Sequence, residues 1–274
     1  MTTPVQLQQQ ALRIREHILA MGAGPEGAHV GGALSAADLL TVLYFQVLRL
    51  RPEEPGWEGR DYFILSKGHG GVGLYATLAE RGFFALAELA TYARAGRLAA
   101  HPLRSLPGVE FPSGSLGHGL SLGVGRALAA RRDGRANRTY VLLGDGELQE
   151  GSIWEAAMAA AHFQLANLVA IVDRNRLQIN GLTEEWMHLE PLGQRWQSFG
   201  WQVVEVDGHD LPALVETFAS LPVDHARPSL VIAHTIKGRG VRFLEQSKKS
   251  HYVSFSPRLY QRARLELQQG VARE

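Results

Sequence analysis

The stretch from Thr139 to Asn175 does most to restrict what this chain can fold into. Residues 139–143 are a short β-branched and apolar run that reads as a buried strand. Residues 152–163 read as a helix with Ile153, Trp154, Ala157 and Ala161 on one face, and 168–172 read as a second buried strand. Strand, helix and strand at that length make a right-handed parallel crossover. Asp145 and Asn175, thirty residues apart, then fall just past the C-terminal ends of neighbouring strands, where open α/β sheets bind ligands. A carboxylate and an amide oxygen there suit a hard divalent cation such as Mg²⁺, whose other positions go to phosphate oxygens, water or a backbone carbonyl. Gly144 and Gly146 flank Asp145. Gly146 lets the backbone approach a phosphate, and its N–H is expected near a helix start, a place that favours anions. The chemistry implied is a metal-bridged diphosphate. Gly-Asp-Gly by itself is common in turns; Asn175 at this distance, after a second strand, carries the reading.

The rest of the chain predicts an α/β fold with a mostly parallel central sheet and helices on both faces. Helical spacing covers 6–21, with Leu7, Ala11, Ile14 and Ile18 on one side, and a glycine-rich loop holding His29 follows. A helix is expected over 35–48, with Ser35 as N-cap and Asp38 in the capping-box position. Further helices are expected over 72–80, 86–93 and 120–132, and strands over 62–65, 202–206 and 230–234. The helix at 120–132 is rich in small residues, fit for close packing, and the polar tail 256–274 is expected to be helical. The loop at 98–119, long and rich in Pro, Gly and Ser, is of the kind that usually carries function. No repeat or linker breaks the chain, so 1–274 reads as one domain, and its 274 residues suffice for a large core.

A net charge of +1 gives no electrostatic reason to expect nucleic acid or a membrane surface as partner. The absence of cysteine excludes disulfides and thiolate metal sites. Arg13, Arg15, Glu16 and His17 interrupt the N-terminal segment as no signal peptide would, and no run reaches the ~20 apolar residues of a membrane span. A cytoplasmic location is expected.

Gly-Asp-Gly-Glu-Leu-Gln-Glu-Gly-Ser-Ile-Trp-Glu-Ala at 144–156, with Asp-Arg-Asn-Arg-Leu at 173–177, resembles the thiamine-diphosphate fingerprint of transketolases. Gly-Ala-His-Val-Gly-Gly-Ala-Leu-Ser (27–35), Ser-Lys-Gly-His-Gly (66–70), His101-Pro102, Gly-Ser-Leu-Gly-His-Gly (114–119) and His-Thr-Ile-Lys-Gly-Arg-Gly (234–240) follow in the family's order. The resemblance covers the diphosphate-binding, N-terminal part of a full-length transketolase, so the chain looks like the first subunit of a split enzyme.

By resemblance, Asp145, Asn175 and the backbone carbonyl of Leu177 would hold Mg²⁺, or another divalent cation such as Ca²⁺ or Mn²⁺. Gly144, Gly146, Asn175, His69, His251 and Lys237 would bind thiamine diphosphate at its diphosphate end. His29 and His101 would lie by the thiazolium and the reacting sugar hydroxyls, as the other half of a catalytic set with His69 and His251. Imidazole suits that work because it can donate, accept or move a proton near neutral pH. Gly114 and Leu116 would touch the aminopyrimidine and thiazolium, and Ile179 and Ile236 would make apolar contacts to the cofactor. Each of these residues also has a plain reading as loop or core, and His118 is taken as structural. Glu155 sits in a helix otherwise made of Ile, Trp, Ala and Met, and a buried carboxylate is costly unless paired. It could simply face solvent; the resemblance places Glu150 and Glu155 at the subunit interface instead, coupling the two active sites.

Gly68-His-Gly-Gly-Val-Gly73 also matches the dinucleotide-binding pattern, with Glu88 twenty residues on. Glu88 falls in the second helix after the loop rather than at the end of the next strand, so an NAD-dependent oxidoreductase is the weaker reading. The glutamate that activates the cofactor in transketolases, and most residues gripping the sugar phosphate, belong to a pyrimidine-binding domain this chain is too short to include. The expectation is therefore half an active site: a subunit inactive alone, completed by a C-terminal partner chain, two of each forming a heterotetramer, and moving a two-carbon ketol unit from a ketose phosphate to an aldose. Alternatives are a related subunit with a specialised sugar or ketoacid-derived donor, or a partnerless regulatory orphan of the fold.

Overall fold

The computed structural model describes residues 2–94 and 96–271. In chain order the helices are α1 (Pro4–Gly22), α2 (Val30–Ser35), α3 (Ala37–Val42), α4 (Gly71–Arg81), α5 (Gly119–Arg132), α6 (Gly151–His162), α7 (Thr183–Trp186), α8 (Leu192–Ser198), α9 (Leu211–Ala219) and α10 (Pro257–Val271). The strands are β1 (Tyr62–Leu65), β2 (Thr139–Gly144), β3 (Leu168–Arg174), β4 (Leu177–Gln178), β5 (Gly181–Leu182), β6 (Gln202–Asp207) and β7 (Ser229–His234). Five strands form a parallel sheet in the order β1-β2-β3-β7-β6, while β4 and β5 make a small antiparallel hairpin beside it.

The apolar runs of β1, β2 and β3 are buried at every position because both sheet faces are covered. Alternation divides them between two cores. Phe63, Leu65, Tyr140, Leu142, Val169, Ile171, Val231 and Ala233 pack with α1, α3, α4 and α9. Ile64, Val141, Leu143, Ala170, Val172 and Ile232 pack on the other face with α5, α6 and α8. The small residues of α5 matter as expected: a Cβ on Gly123 would stand 2.5 Å from Val141, so the helix lies directly on β2.

The crossover from β2 through α6 to β3 is present and parallel. After β3 the chain runs out to the edge strand β6 and returns as β7 between them. The C-terminal ends of β1, β2, β3 and β7 therefore deliver four loops to one edge, the position that this class of sheet uses for ligands.

The sequence expectation of a helix beginning at Ser35 is corrected. The helical path already starts at Val30, breaks at Ala36 and resumes as α3, ending in a π-helical turn at Leu43–Val47. Ser35 and Asp38 are buried and bonded to distant residues rather than capping. Residues 86–91 form a 3-10 helix, not an α-helix. The expected helix at 256–274 is α10 as far as Val271, its last residues lying outside the described ones. No helix among the described residues is long and apolar enough to cross a membrane.

Candidate functional site at the C-terminal edge of the sheet

The centre of the edge is a buried ion pair. Lys67, just past β1, is 1% exposed and bonds Asp173 of β3, which is 0% exposed. Lys67 Nζ also donates to the Gly32 carbonyl at 2.9 Å. Ser35 Oγ donates to Asp173 Oδ2 at 2.6 Å, and Thr235, past β7, donates to Oδ1. Burial would raise the Asp173 pKa, but Lys67 and the two hydroxyls hold it below the usual carboxylate range. One carboxylate thus ties together the loops after β1 and β7, the end of β3 and α2.

Around this knot stand the residues expected to hold a cation and a diphosphate. Asp145 follows β2 and Asn175 follows β3, both buried. Asp145 accepts the N–H of Gly146 at 2.8 Å and that of Arg176, with the Arg174 guanidinium 3.3 Å away. The Gly146 N–H is thus taken by Asp145, at the start of a 3-10 turn rather than of the helix. Burial, with Asp173 nearby, pushes the Asp145 pKa up to about 6. Asn175 Oδ1 accepts the Leu177 N–H at 3.1 Å. The Leu177 carbonyl accepts Lys237 Nζ at 2.8 Å, which puts an ammonium beside the expected metal ligands. Burial, and then Lys67, lower the Lys237 pKa to about 8. Among the described residues no three His, Cys, Asp or Glu side chains are grouped to hold a metal by themselves.

Four of the five singled-out histidines gather. Ring centroids of His29 lie 5.9 Å from His69, 5.9 Å from His101 and 5.1 Å from His251, and His69 is 5.4 Å from His251. Burial, and then the charge of His101, lower the His29 pKa to about 4. Burial, and then Lys237, do the same for His251, to about 4. Burial and Lys67 hold His69 well below its ordinary value. These three rings are neutral at pH 7. His29 Nδ1 is buried with no hydrogen-bond partner among the described residues, although Tyr252 stacks edge-on at 4.8 Å. His118 is exposed and donates to the Leu116 carbonyl at 2.9 Å, a local loop bond.

Gly114 packs under His101: a Cβ there would come within 3.4 Å of the imidazole, and its φ of +150° suits glycine. Leu116 and Ile236 are half-buried, whereas Ile179 points outward from the hairpin, 64% exposed. Glu150 and Glu155 are exposed in this chain. The buried acid of the motif is instead Glu147, which sequence reasoning passed over. It accepts from Ser66 Oγ at 2.5 Å, Gly117 N at 2.9 Å and Gly144 N at 3.0 Å, joining β1, β2 and the 98–119 loop. Trp154, on the apolar face of α6, packs within its own chain. Its ring packs 5.5 Å from Trp196 and 5.4 Å from Phe199, and Nε1 donates to the Leu148 carbonyl at 2.9 Å. Arg174, Lys67 and Asp173 were likewise missed; charges abutting an apolar strand run were the available signal.

The dinucleotide pattern has a packing explanation. A Cβ on Gly68 would lie 2.5 Å from the Gly114 nitrogen, so the glycines let two loops touch. Glu88 bonds Arg97 at 2.6 Å, away from any strand end.

Fold and edge cluster together define an α/β domain of the thiamine diphosphate-binding kind. Residues 10–258 match the family described as "Transketolase, thiamine diphosphate binding domain". The chain belongs to the transketolase family and is a transferase-type enzyme component. It is 43% identical over 266 residues to an apulose-4-phosphate transketolase subunit from Phocaeicola vulgatus, a match covering 97% of this chain and 95% of that one. It is 41% identical over 274 residues to the 6-deoxy-6-sulfo-D-fructose transketolase subunit SqwG of Clostridium sp., covering 98% of each. The transketolase structure from Campylobacter jejuni superposes with a TM-score of 0.92 at 30% identity, over 98% of this chain but 43% of that one. The chain thus spans less than half of a full transketolase.

Proposed function

We propose that this chain is the diphosphate-binding subunit of a two-chain transketolase, transferring a two-carbon ketol unit from a ketose phosphate to an aldose with thiamine diphosphate and a divalent cation. The observation that carries this reading is the convergence of Asp145, Asn175, the Leu177 carbonyl, Lys237 and four histidines at one sheet edge. The residues present fit the group. Asp145 is a buried carboxylate whose pKa burial raises even with Arg174 3.3 Å away, the Leu177 carbonyl already holds a cationic ammonium, and His29 Nδ1 is a buried polar atom without a partner among the described residues.

When bound, thiamine diphosphate supplies the nucleophilic carbon and electron sink that ketol transfer requires. Asp145, Asn175 and Leu177 would hold its cation, and Lys237, His69 and His251 its diphosphate. His29, kept neutral by burial, can accept a hydrogen bond or proton from a sugar hydroxyl. His101, beside it, can serve the same hydroxyls, and Gly114 and Leu116 would line the ring end of the cleft together with Ile179 and Ile236.

Coverage of 43% of the Campylobacter jejuni enzyme supports a separate chain that closes the pyrimidine end of the cleft. Closed point-group symmetry then favours two of each subunit, with Glu150 and Glu155 free to meet that partner. A specialised sugar donor is the second reading, favoured by the two relatives named for apulose 4-phosphate and 6-deoxy-6-sulfo-D-fructose. The test is co-purification with the partner chain, followed by cofactor titration and a donor and acceptor screen. Cofactor binding and ketol transfer are expected together, and only with the partner. Full activity from this chain alone would overturn the split-subunit reading.

A further inference from the structure

The loop at 235–238 is pinned at every residue. Thr235 bonds Asp173, Lys237 Nζ donates to the Leu177 carbonyl at 2.8 Å, and Gly238 N–H donates to the Gly31 carbonyl at 3.0 Å. The remaining residue, Ile236, donates its backbone N–H to a side chain, His209 Nε2, at 2.8 Å. That bond makes Nε2 an acceptor, so the proton of the ring sits on Nδ1. Nδ1 lies 2.8 Å from Asp38 Oδ2 and donates to it. Asp38 is gripped in turn by the fork of Arg15, at 2.8 Å and 2.5 Å.

His209 is 8% exposed at its side chain and lies outside the histidine cluster. The turn that carries it is built to face the loop. Its own N–H bonds Asp207 Oδ1 at 2.8 Å, and Gly208 N–H donates to the His234 carbonyl at 2.8 Å. A Cβ on Gly208 would stand 2.4 Å from Thr235 Cγ2, so only glycine permits this approach. A lone backbone amide could be satisfied by any carbonyl. An imidazole backed by a carboxylate, itself backed by a guanidinium, additionally fixes the ring's tautomer and orientation.

We infer that His209 is a positioning residue. Through Ile236 it sets the backbone from which Lys237 reaches the diphosphate end of the cleft, with Asp38 and Arg15 holding the ring in the required tautomer. This rests on the proposed cofactor reading.

Two substitutions separate the halves of the relay. In His209→Gln the amide oxygen falls near Nε2 and can accept from Ile236, while the contact with Asp38 is given up. In His209→Asn the amide nitrogen falls near Nδ1 and can donate to Asp38, while Ile236 loses its acceptor. Each removes one hydrogen bond, so a purely structural role predicts equal effects. The expected result is asymmetric. By amide hydrogen exchange on the full chain, His209→Asn speeds exchange at Ile236 about tenfold or more, with β7 unchanged, and His209→Gln stays near the parent. By calorimetry with thiamine diphosphate and Mg²⁺ on the complex co-purified with its partner, His209→Asn binds about tenfold more weakly, and His209→Gln within about threefold. Equal losses in both variants, or unchanged exchange at Ile236, would overturn the inference. A parent complex that binds no cofactor would instead sink the functional reading, leaving the exchange result to judge the relay.

Discussion

Replacing Lys67 by Met is the sharpest test of the buried knot at the sheet edge. Methionine keeps most of the stem volume but removes the ammonium, leaving Asp173 fully buried with only the hydroxyls of Ser35 and Thr235. The Gly32 carbonyl loses its donor as well. Breaking a buried pair by deleting one partner costs about 3–5 kcal/mol, because the other charge is stranded. For a chain of this size each ~1 kcal/mol moves Tm by about 2–4 °C, so a fall of roughly 6–20 °C is expected. Adding Asp173→Asn in the same chain removes the stranded charge while keeping an oxygen for one hydroxyl and offering an amide N–H to the oxygen of the other, and is expected to recover about half or more of the loss. Thermal unfolding followed by circular dichroism, with urea denaturation as a second measure, reads both. The titration of His69 gives an independent signal: Lys67 helps hold its pKa down, so the value followed by NMR is expected to rise in Lys67→Met. A single variant within about 1 kcal/mol of the parent, or a double variant less stable than the single, would refute the reasoning.

Asp145→Ala is expected to abolish Mg²⁺-dependent thiamine diphosphate binding by the assembled complex without unfolding the chain, and Asn175→Ala to weaken it less; calorimetry beside an unfolding curve checks both. His101→Ala is expected to lower kcat more than cofactor affinity, and His69→Ala to weaken cofactor binding at least as much as turnover, so the reverse pattern in steady-state kinetics would exchange their roles. Burial alone would raise the Asp38 pKa, but Arg15 and His209 hold it below the usual carboxylate range. Its contribution to stability is therefore present above pH ~4 and is lost as pH falls through the lower folded value. Arg15→Met raises that folded value, so the variant's deficit is expected to be largest near neutral pH and to shrink as pH falls through the variant's raised value towards the parent's lower one, measured by denaturation at a series of pH values.

Local pattern was enough for the scaffold. The runs at 139–143 and 168–172, the helix between them and the positions of Asp145 and Asn175 were legible because burial on both faces writes continuous apolar strands into the sequence, and the spacing then dictates a parallel crossover. The grouping of His29, His69, His101 and His251 was legible only through the resemblance, since nothing in their own loops says that they meet. What tertiary structure decided is which partner each buried charge has. Lys67 and Asp173 meet across a long sequence separation because the sheet order brings the ends of β1 and β3 to one edge, and His209, after β6, meets Asp38 because α3 packs against α9, the helix that follows the His209 turn. The same uncertainty hid Glu147: it shares one short motif with Glu150 and Glu155, yet it alone of the three turns inward, where three donors from separate segments await it. Periodicity shows which face of a helix is apolar but not what covers it, and so the ring of Trp154 belongs to its own chain's aromatic cluster. A charge at a strand end carries the same letters whether it meets water or a buried counter-ion; only the assembled loops distinguish the two.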